Sequence, residues 1–290
     1  MTTVPPVPPA RSAAAALARK AHRTLEPLHT ACYFATEMAE AYAEAGAKGT
    51  MRAYFAVRSA PMGKVPAEVV VATFYNFAPH LVAEAIPAVW DSTTPEALIS
   101  ARYAGIDAAY RRILGEATLG SAEMTEAAGL AREATTVLSG VGRPLFAAHS
   151  ALPWPEPPHL QLFHAQTLLR EYRGDGHVAA LVLGGLDPVG ALVTHVATGD
   201  GLALPMIRAT RGWTDAQWQA GEARVVERGL VDGGELTATG RELRDHIEAQ
   251  TDAAAAAPFD HLGEVRVERL RELARPWSKA ISDDLFGGAR

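Results

Sequence analysis

Two histidine–carboxylate segments offer the first chemistry in this chain. PLHTACYFATE (Pro27–Glu37) carries His29, Tyr33 and Glu37, and LFHAQTLLRE (Leu162–Glu171) carries His164 and Glu171. An imidazole beside a carboxylate can move a proton or help to hold a metal. On a helix, seven residues put His164 and Glu171 on one face but about 10 Å apart along the axis. His29 and Glu37 are farther apart still, so neither pair can grip one ion alone. Shared chemistry would have to lie between the segments, with Tyr33 one turn from both His29 and Glu37. The plainer alternative is a core histidine held by a hydrogen bond. A di-iron bundle needs Glu-x-x-His on two helices; that pattern is absent, and no metal site is expected.

Three further groups have candidate roles. LREYRGDGH (Leu169–His177) crowds Arg170, Glu171, Arg173, Asp175 and His177 into one stretch. It reads either as an anion site, with Arg170 or Arg173 as a fork and His177 as proton partner, or as ion pairs that fix a corner with Asp175 as a helix cap. ATFYNFAPH (Ala72–His80) places Tyr75, Asn76 and His80 among apolar residues, where polar groups need partners or line a pocket. Cys32, the only cysteine, sits three residues after His29, and a buried inert thiol is the simpler reading. Nucleophile elbows, phosphate loops and His-Glu-x-x-His are all missing.

Composition narrows the class. The chain has 290 residues, 48% hydrophobic and 21% charged, with a net charge of −6. That is ordinary for a globular protein and argues against a broad basic surface for nucleic acid or membrane. A single cysteine excludes an internal disulfide and a thiolate zinc cage. MTTVPPVPPARS reads as a proline-rich tail rather than a signal peptide, and no membrane-spanning run is visible, so a cytoplasmic location is expected.

Alanine, leucine and arginine dominate, which favours helix. A first helix is expected from Ala10 or Leu17 to Ala45, kinked or divided at Pro27. Others are expected over Val65–Phe77, from a Thr94 cap to Leu114, and over Thr125–Leu138. Beyond the linker PWPEPP, Leu160–Tyr172 should end at Gly174, and Asp175 should cap a new helix over His177–Leu183. Pro188–Val196 should form a short helix, and Thr214 with Gln217 a capping box for a helix to Arg228. A hairpin of Gly229–Val231 and Glu235–Thr237 about the turn Asp232-Gly233-Gly234, then a long helix Thr239–Ala256, complete the pattern.

Segments in the two halves echo one another in order. Beyond the histidine segments, IPAVWDSTTPE (Ile86–Glu96) matches ATRGWTDAQW (Ala209–Trp218), and MTEAAGLARE (Met124–Glu133) matches LTATGRELR (Leu236–Arg244). The expected fold is therefore mainly α, an internal duplication of two helix-turn-helix or winged-helix-like units with a small β wing in the second. Expected boundaries are a disordered tail at 1–16, repeats at 17–152 and 159–278, a linker at 153–158 and a tail at 279–290.

RGLVDGGELTATG resembles the carboxyl half of MarR-type winged-helix domains, a likeness carried by Leu236, Thr237 and Gly240. Nearly the whole chain also resembles an actinobacterial family of helix-turn-helix-like proteins of unassigned function. PLHTACYF, YFAVRSAPMG, ATFYNFAP, LLREYRGDGHVAAL and RGWTDAQW carry that likeness. The resemblance implies a fold and, through Thr214–Arg228, a DNA-facing helix with Gln217, Gln219 and Arg224 as base or phosphate contacts. The residues argue the other way: charges on that helix sum to −1, and the wing DGGE is acidic where DNA calls for Arg or Lys.

The leading expectation is a ligand-responsive regulator that binds a small molecule between its halves. Its pocket draws on His29, Tyr33, Glu37, Tyr75, Asn76, His80, His164, Glu171, Arg173 and His177. The alternatives are an enzyme on a scaffold that does not bind DNA, with a His/Arg/Glu pocket, and a scaffold or interaction protein. Candidate partners are DNA and a second copy of the chain as a homodimer; no cofactor is legible.

Overall fold

The computed structural model describes residues 13–199 and 203–287. Residues 1–12 of the tail expected at 1–16, and the last three residues of the tail expected at 279–290, lie outside that range. Helices α1 (Ala13–Phe34), α2 (Thr36–Glu44), α3 (Thr50–Ser59), α4 (Ala67–Phe74) and α5 (Pro79–Ala85) come first. They are followed by α6 (Pro95–Leu114), α7 (Glu116–Leu119), α8 (Ala122–Thr135) and α9 (Pro144–Ser150). The second half holds α10 (Pro158–Leu183), α11 (Pro188–Val196), α12 (Leu204–Arg211), α13 (Asp215–Glu227), α14 (Ala238–Ala254), α15 (Ala257–Leu262) and α16 (Glu264–Phe286). Between α13 and α14 runs a two-stranded antiparallel hairpin, β1 (Val231–Asp232) and β2 (Glu235–Leu236), with Val231 opposite Leu236.

Helix starts follow their caps. Thr94 accepts from the Ala97 amide to open α6, Ser121 from Met124 to open α8, and Asp187 from Val189 and Gly190 to open α11. Thr214 and Gln217 form the expected capping box at α13. Elsewhere expectation and structure part. The first helix breaks at Ala35, not at Pro27, which lies inside α1. Gly174 does not stop a helix, because α10 runs unbroken for 26 residues. Asp175 caps nothing on α10; its carboxylate accepts from the Phe146 amide at 2.9 Å. Residues 13–16 are helical, and so are 279–286, the end of the 23-residue α16.

One large core joins both halves. Leu25, Leu28, Ile106, Tyr110 and Met124 from the first half pack with Leu162, Phe163, Leu270 and Ile281 from the second. The proline-rich stretch at 153–158 therefore divides the chain but not its core. A second cluster, with Leu186, Val189, Ile207, Trp218, Val225, Leu236 and Ile247, belongs to α11–α14 and the hairpin. Helix α10 serves both: Leu162 and Phe163 enter the first cluster, Ala180 and Leu181 the second. That double duty explains its apolar length. Among the described residues no single helix is long and apolar enough to cross a membrane.

Gly240 shows why the hairpin leads into α14 as it does. A Cβ there would stand 2.0 Å from the Leu230 carbonyl oxygen, so only glycine lets the helix start against the strand. Thr237 completes the junction: its amide donates to Leu230, and its hydroxyl caps the Gly240 amide at 3.0 Å.

Candidate functional site

The two histidine helices meet in the large core, where their polar groups form a sealed network. Thr167 donates its hydroxyl proton to the Phe163 carbonyl, so it can only accept from His29 Nδ1, 3.2 Å away. His29 therefore carries its proton on Nδ1, and Nε2 accepts from the Tyr33 hydroxyl at 3.0 Å. Burial and then Arg170 and Arg102 push the His29 pKa well below its usual value. Burial also raises the Cys32 thiol, 3.8 Å from His29 Nε2, so this pair does not make a nucleophile.

His164 has different partners. Its Nδ1 lies 2.6 Å from the Tyr103 hydroxyl, and its ring meets Trp154 edge to face at 4.6 Å. Phe163 stacks on His29 at 5.8 Å and meets Tyr103 at 6.0 Å. No hydrogen bond joins the two histidines, and both are fully buried. Glu171 binds Arg58 at 3.1 Å and Arg170 at 3.0 Å. Burial would raise its pKa, but the two arginines outweigh burial and hold it at about 2. These groups act as an internal ionic frame.

Several other expected residues are structural ties. Glu37 pairs with Arg112, which also binds Asp284 at 2.6 Å and so joins α2, α6 and α16. Arg173 bridges to Glu248 at 3.4 Å and Asp252 at 3.1 Å on α14. His80 is exposed on α5.

Tyr75, Asn76 and His177 do come together. They line a cavity of about 210 Å³ in the seam between the α4 end and the helices α10, α11, α12 and α14. Tyr75 sits at φ 59°, ψ −62°, with the Asn76 amide donating to the Phe74 carbonyl at 2.7 Å. This is a classic γ-turn, a strained conformation of the kind that collects at functional sites. The same turn holds the seam closed. The Tyr75 hydroxyl donates to the Leu186 carbonyl, the Trp213 indole to Asn76 at 3.0 Å, and the Ala78 amide to Arg211 at 2.9 Å.

Arg211, Arg244 and His195 join this cavity, and sequence reading passed over all three. One signal was present for Arg244: it falls on the Gly240–Ile247–Thr251 stripe, the buried face of α14. Arg102 likewise falls on the Leu98–Ile106–Ala109 stripe of α6. A lone arginine on an apolar helical stripe is a buried cation in waiting.

Helix α13 turns its other face outward. Gln217, Gln219, Arg224, Glu227 and Arg228 are all exposed, while Trp218, Gly221 and Val225 face α11. Its cations are engaged: Arg224 binds Asp187 at 2.8 Å, and Arg228 donates to the Gly184 and Gly185 carbonyls at the end of α10. Gln217 spends its carbonyl oxygen on the Thr214 amide. Among the described residues no group of three or more His, Cys, Asp or Glu side chains is placed to hold a metal.

Helices α11–α13 share one small core with the end of α10, the hairpin that follows them and α14. The profile of a helix-turn-helix family matches residues 18–287, and the chain belongs to that family. No curated protein and no solved structure matches it.

Proposed function

We propose that the protein is a ligand-responsive regulator of winged-helix type. In this reading α13 is the DNA-facing helix, the β1–β2 hairpin is a short wing, and a small molecule binds between the halves. The observation that carries it is the seam cavity, whose walls come from the α4 turn on one side and from α10–α12 and α14 on the other. A ligand that prefers one docking of these parts shifts the orientation of α13 by its differential affinity. Exposure of Gln217 and Gln219 supports their assignment as base readers, with Arg224 as a phosphate contact once it leaves Asp187.

The MarR-type likeness and the internal duplication belong to the same proposal. Part of the element order supports the duplication: α1, α4–α6 and α8 fall in the same sequence as α10, α11–α13 and α14, with α2 and α3 extra in the first half and α7 in place of the hairpin. The charge of α11–α14 sets a limit on DNA affinity. Six arginines face eleven carboxylates between residues 187 and 252, a net of −5, so phosphate attraction is weak and binding must be tested at low salt. The catalytic alternative has less support, because His29 and His164 are buried away from any opening and Arg173 is held by Glu248 and Asp252.

The deciding measurement is fluorescence anisotropy with labelled DNA from upstream of the protein's own gene, in about 50 mM salt. Sequence-preferring binding that Gln217→Ala and Gln219→Ala reduce together is the expected result. No binding to any such fragment would overturn the DNA half of the proposal.

A further inference from the structure

We propose that the seam cavity takes a compact organic acid that also carries a hydroxyl or amino hydrogen-bond donor. The inference rests on the reading of this cavity as a ligand site and names the chemistry the site selects.

The cations come first. Arg211 stacks on Phe77 at 4.6 Å and donates from Nη1 to the neighbouring Thr210 hydroxyl. Among the described residues it makes no ion pair with a carboxylate; burial lowers its pKa most, Tyr54 opposes this and Arg58 adds to it. Its Nε is buried and unpartnered. Arg244 is only 6% exposed, with Nη2 on Glu248 at 3.3 Å and Nε unpartnered. Glu248 is already shared with Arg173. One terminal nitrogen of each arginine, Nη2 of Arg211 and Nη1 of Arg244, is neither bonded nor sealed, and both side chains line the cavity. A half-buried cation without an acid, beside a second cation whose acid is shared, calls for an anion.

The acceptor follows from a proton count. Thr251 donates its hydroxyl proton to the Ile247 carbonyl at 2.8 Å, so it accepts from His177 Nδ1 at 2.9 Å. His177 therefore carries its proton on Nδ1. Burial outweighs Glu248 and keeps the ring neutral, with a pKa of about 4. Its Nε2 is then an acceptor with no partner among the described residues, on a ring that lines the cavity, and its complement is a ligand O–H or N–H.

Size and walls set the rest. Phe74, Leu181, Leu192 and Ile207 supply an apolar wall, with Tyr75, Asn76 and His195 as further polar lining. A cavity of roughly 150 Å³ accommodates a benzene ring, so about 210 Å³ holds such a body together with an acid group.

Calorimetric titration of the full chain tests this with the 2-, 3- and 4-hydroxyphenylacetates, phenylacetate and the three matching hydroxyphenylacetamides. At least one hydroxy acid should bind. Its neutral amide should bind about 10- to 100-fold more weakly, and phenylacetate about 3- to 10-fold more weakly. Arg211→Met should erase the preference for acid over amide. His177→Leu should erase the preference for the hydroxylated acid. Arg244→Met is read only if its melting midpoint stays near the parent's; Arg211, which has no acid partner to strand, carries the test otherwise. If amide and acid bind alike, or Arg211→Met keeps the preference, the inference falls while the cavity stands as a ligand site. If no member of the panel binds and filling the cavity by Ala191→Trp leaves DNA binding unchanged, the ligand-site reading itself falls.

Discussion

The Trp213 indole donates to the backbone carbonyl of Asn76 at 3.0 Å, tying the loop before α13 to the turn that ends α4. With the bonds from Tyr75 to Leu186 and from Ala78 to Arg211, it makes one four-residue turn the clamp for the α11–α13 unit. Gly212 sits in the same seam, where a Cβ would stand 2.9 Å from Leu81. The clamp is therefore close-packed as well as hydrogen-bonded, and the cavity opens directly beside it.

Trp213→Phe keeps the ring packing and removes the donor. The expected loss is about 1 kcal/mol, the usual value for one neutral hydrogen bond. Urea unfolding reads the stability, and hydrogen exchange reads where it is lost. Amides of α12 and α13 should exchange faster while α1 and α6 stay unchanged. Uniform acceleration across the chain would mean that the seam is not a separate clamp.

Acid should destabilise the protein earlier than carboxylates alone would dictate. Burial, then nearby arginines, lowers His164 to about 4; burial, outweighing Glu248, lowers His177 to about 4; and His22 falls to about 3. Below the ordinary histidine value the unfolded chain takes up protons that the folded chain refuses. Stability is thus full above about pH 6.5 and falls as pH drops toward 4, by up to about 3 kcal/mol per histidine. Asp175 works against this, since burial raises it to about 6 and its protonated form favours the fold. Glu171 adds its own loss only below its ordinary value, down to about pH 2. Urea midpoints at pH 7.5, 6.5, 5.5 and 4.5 should fall steadily, and His177→Gln should flatten the curve by about 2 kcal/mol. A level profile for the parent would contradict the buried neutral state.

Glu171 stands between two cations in the core, so its removal should cost more than the loss of two hydrogen bonds. Glu171→Leu leaves Arg58 and Arg170 without their shared acid and should destabilise by about 3–5 kcal/mol. Glu171→Gln keeps the shape and one acceptor and should cost less. The Arg58→Met, Glu171→Leu double variant should recover part of the loss, since one uncompensated charge leaves with its partner. Strictly additive losses in the urea experiment would show that the pair is not coupled.

Local signals made some elements legible and hid others. The capping box at Thr214, the Pro188 start and the Thr94 cap each act within one turn of chain, and each placed a helix correctly. The Leu-Thr-x-x-Gly likeness also has a local cause, in the Thr237 cap and the close approach at Gly240. Gly174 and Asp175 misled because their partners are distant: Asp175 answers the Phe146 amide, and tertiary packing carries α10 past a residue of low helix propensity. Tyr75 and Asn76 were readable as polar groups in an apolar segment, and His177 as part of a charged stretch. Arg211 and Arg244 were not, because only the folding of α12 and α14 against α4 brings them to the same cavity.

The acidic hairpin provides the sharpest test of the DNA reading. Asp232 and Glu235 are exposed at the tip of β1–β2, where a wing would lie along the phosphate backbone. Asp232→Lys with Glu235→Lys replaces two repulsive charges by two attractive ones without touching a buried residue. If α13 enters a groove, affinity should rise by at least about tenfold in 50 mM salt, and the slope of log affinity against log salt should steepen by about 1 to 2. Nonspecific attraction would raise affinity for every sequence equally, so specific and unrelated duplexes must be compared in the same buffer. A preference that survives the lysine substitutions and disappears with Gln217→Ala and Gln219→Ala places α13 on the bases. Equal gains on all duplexes, with no effect of the glutamines, would assign the added affinity to charge alone and remove α13 from the recognition role.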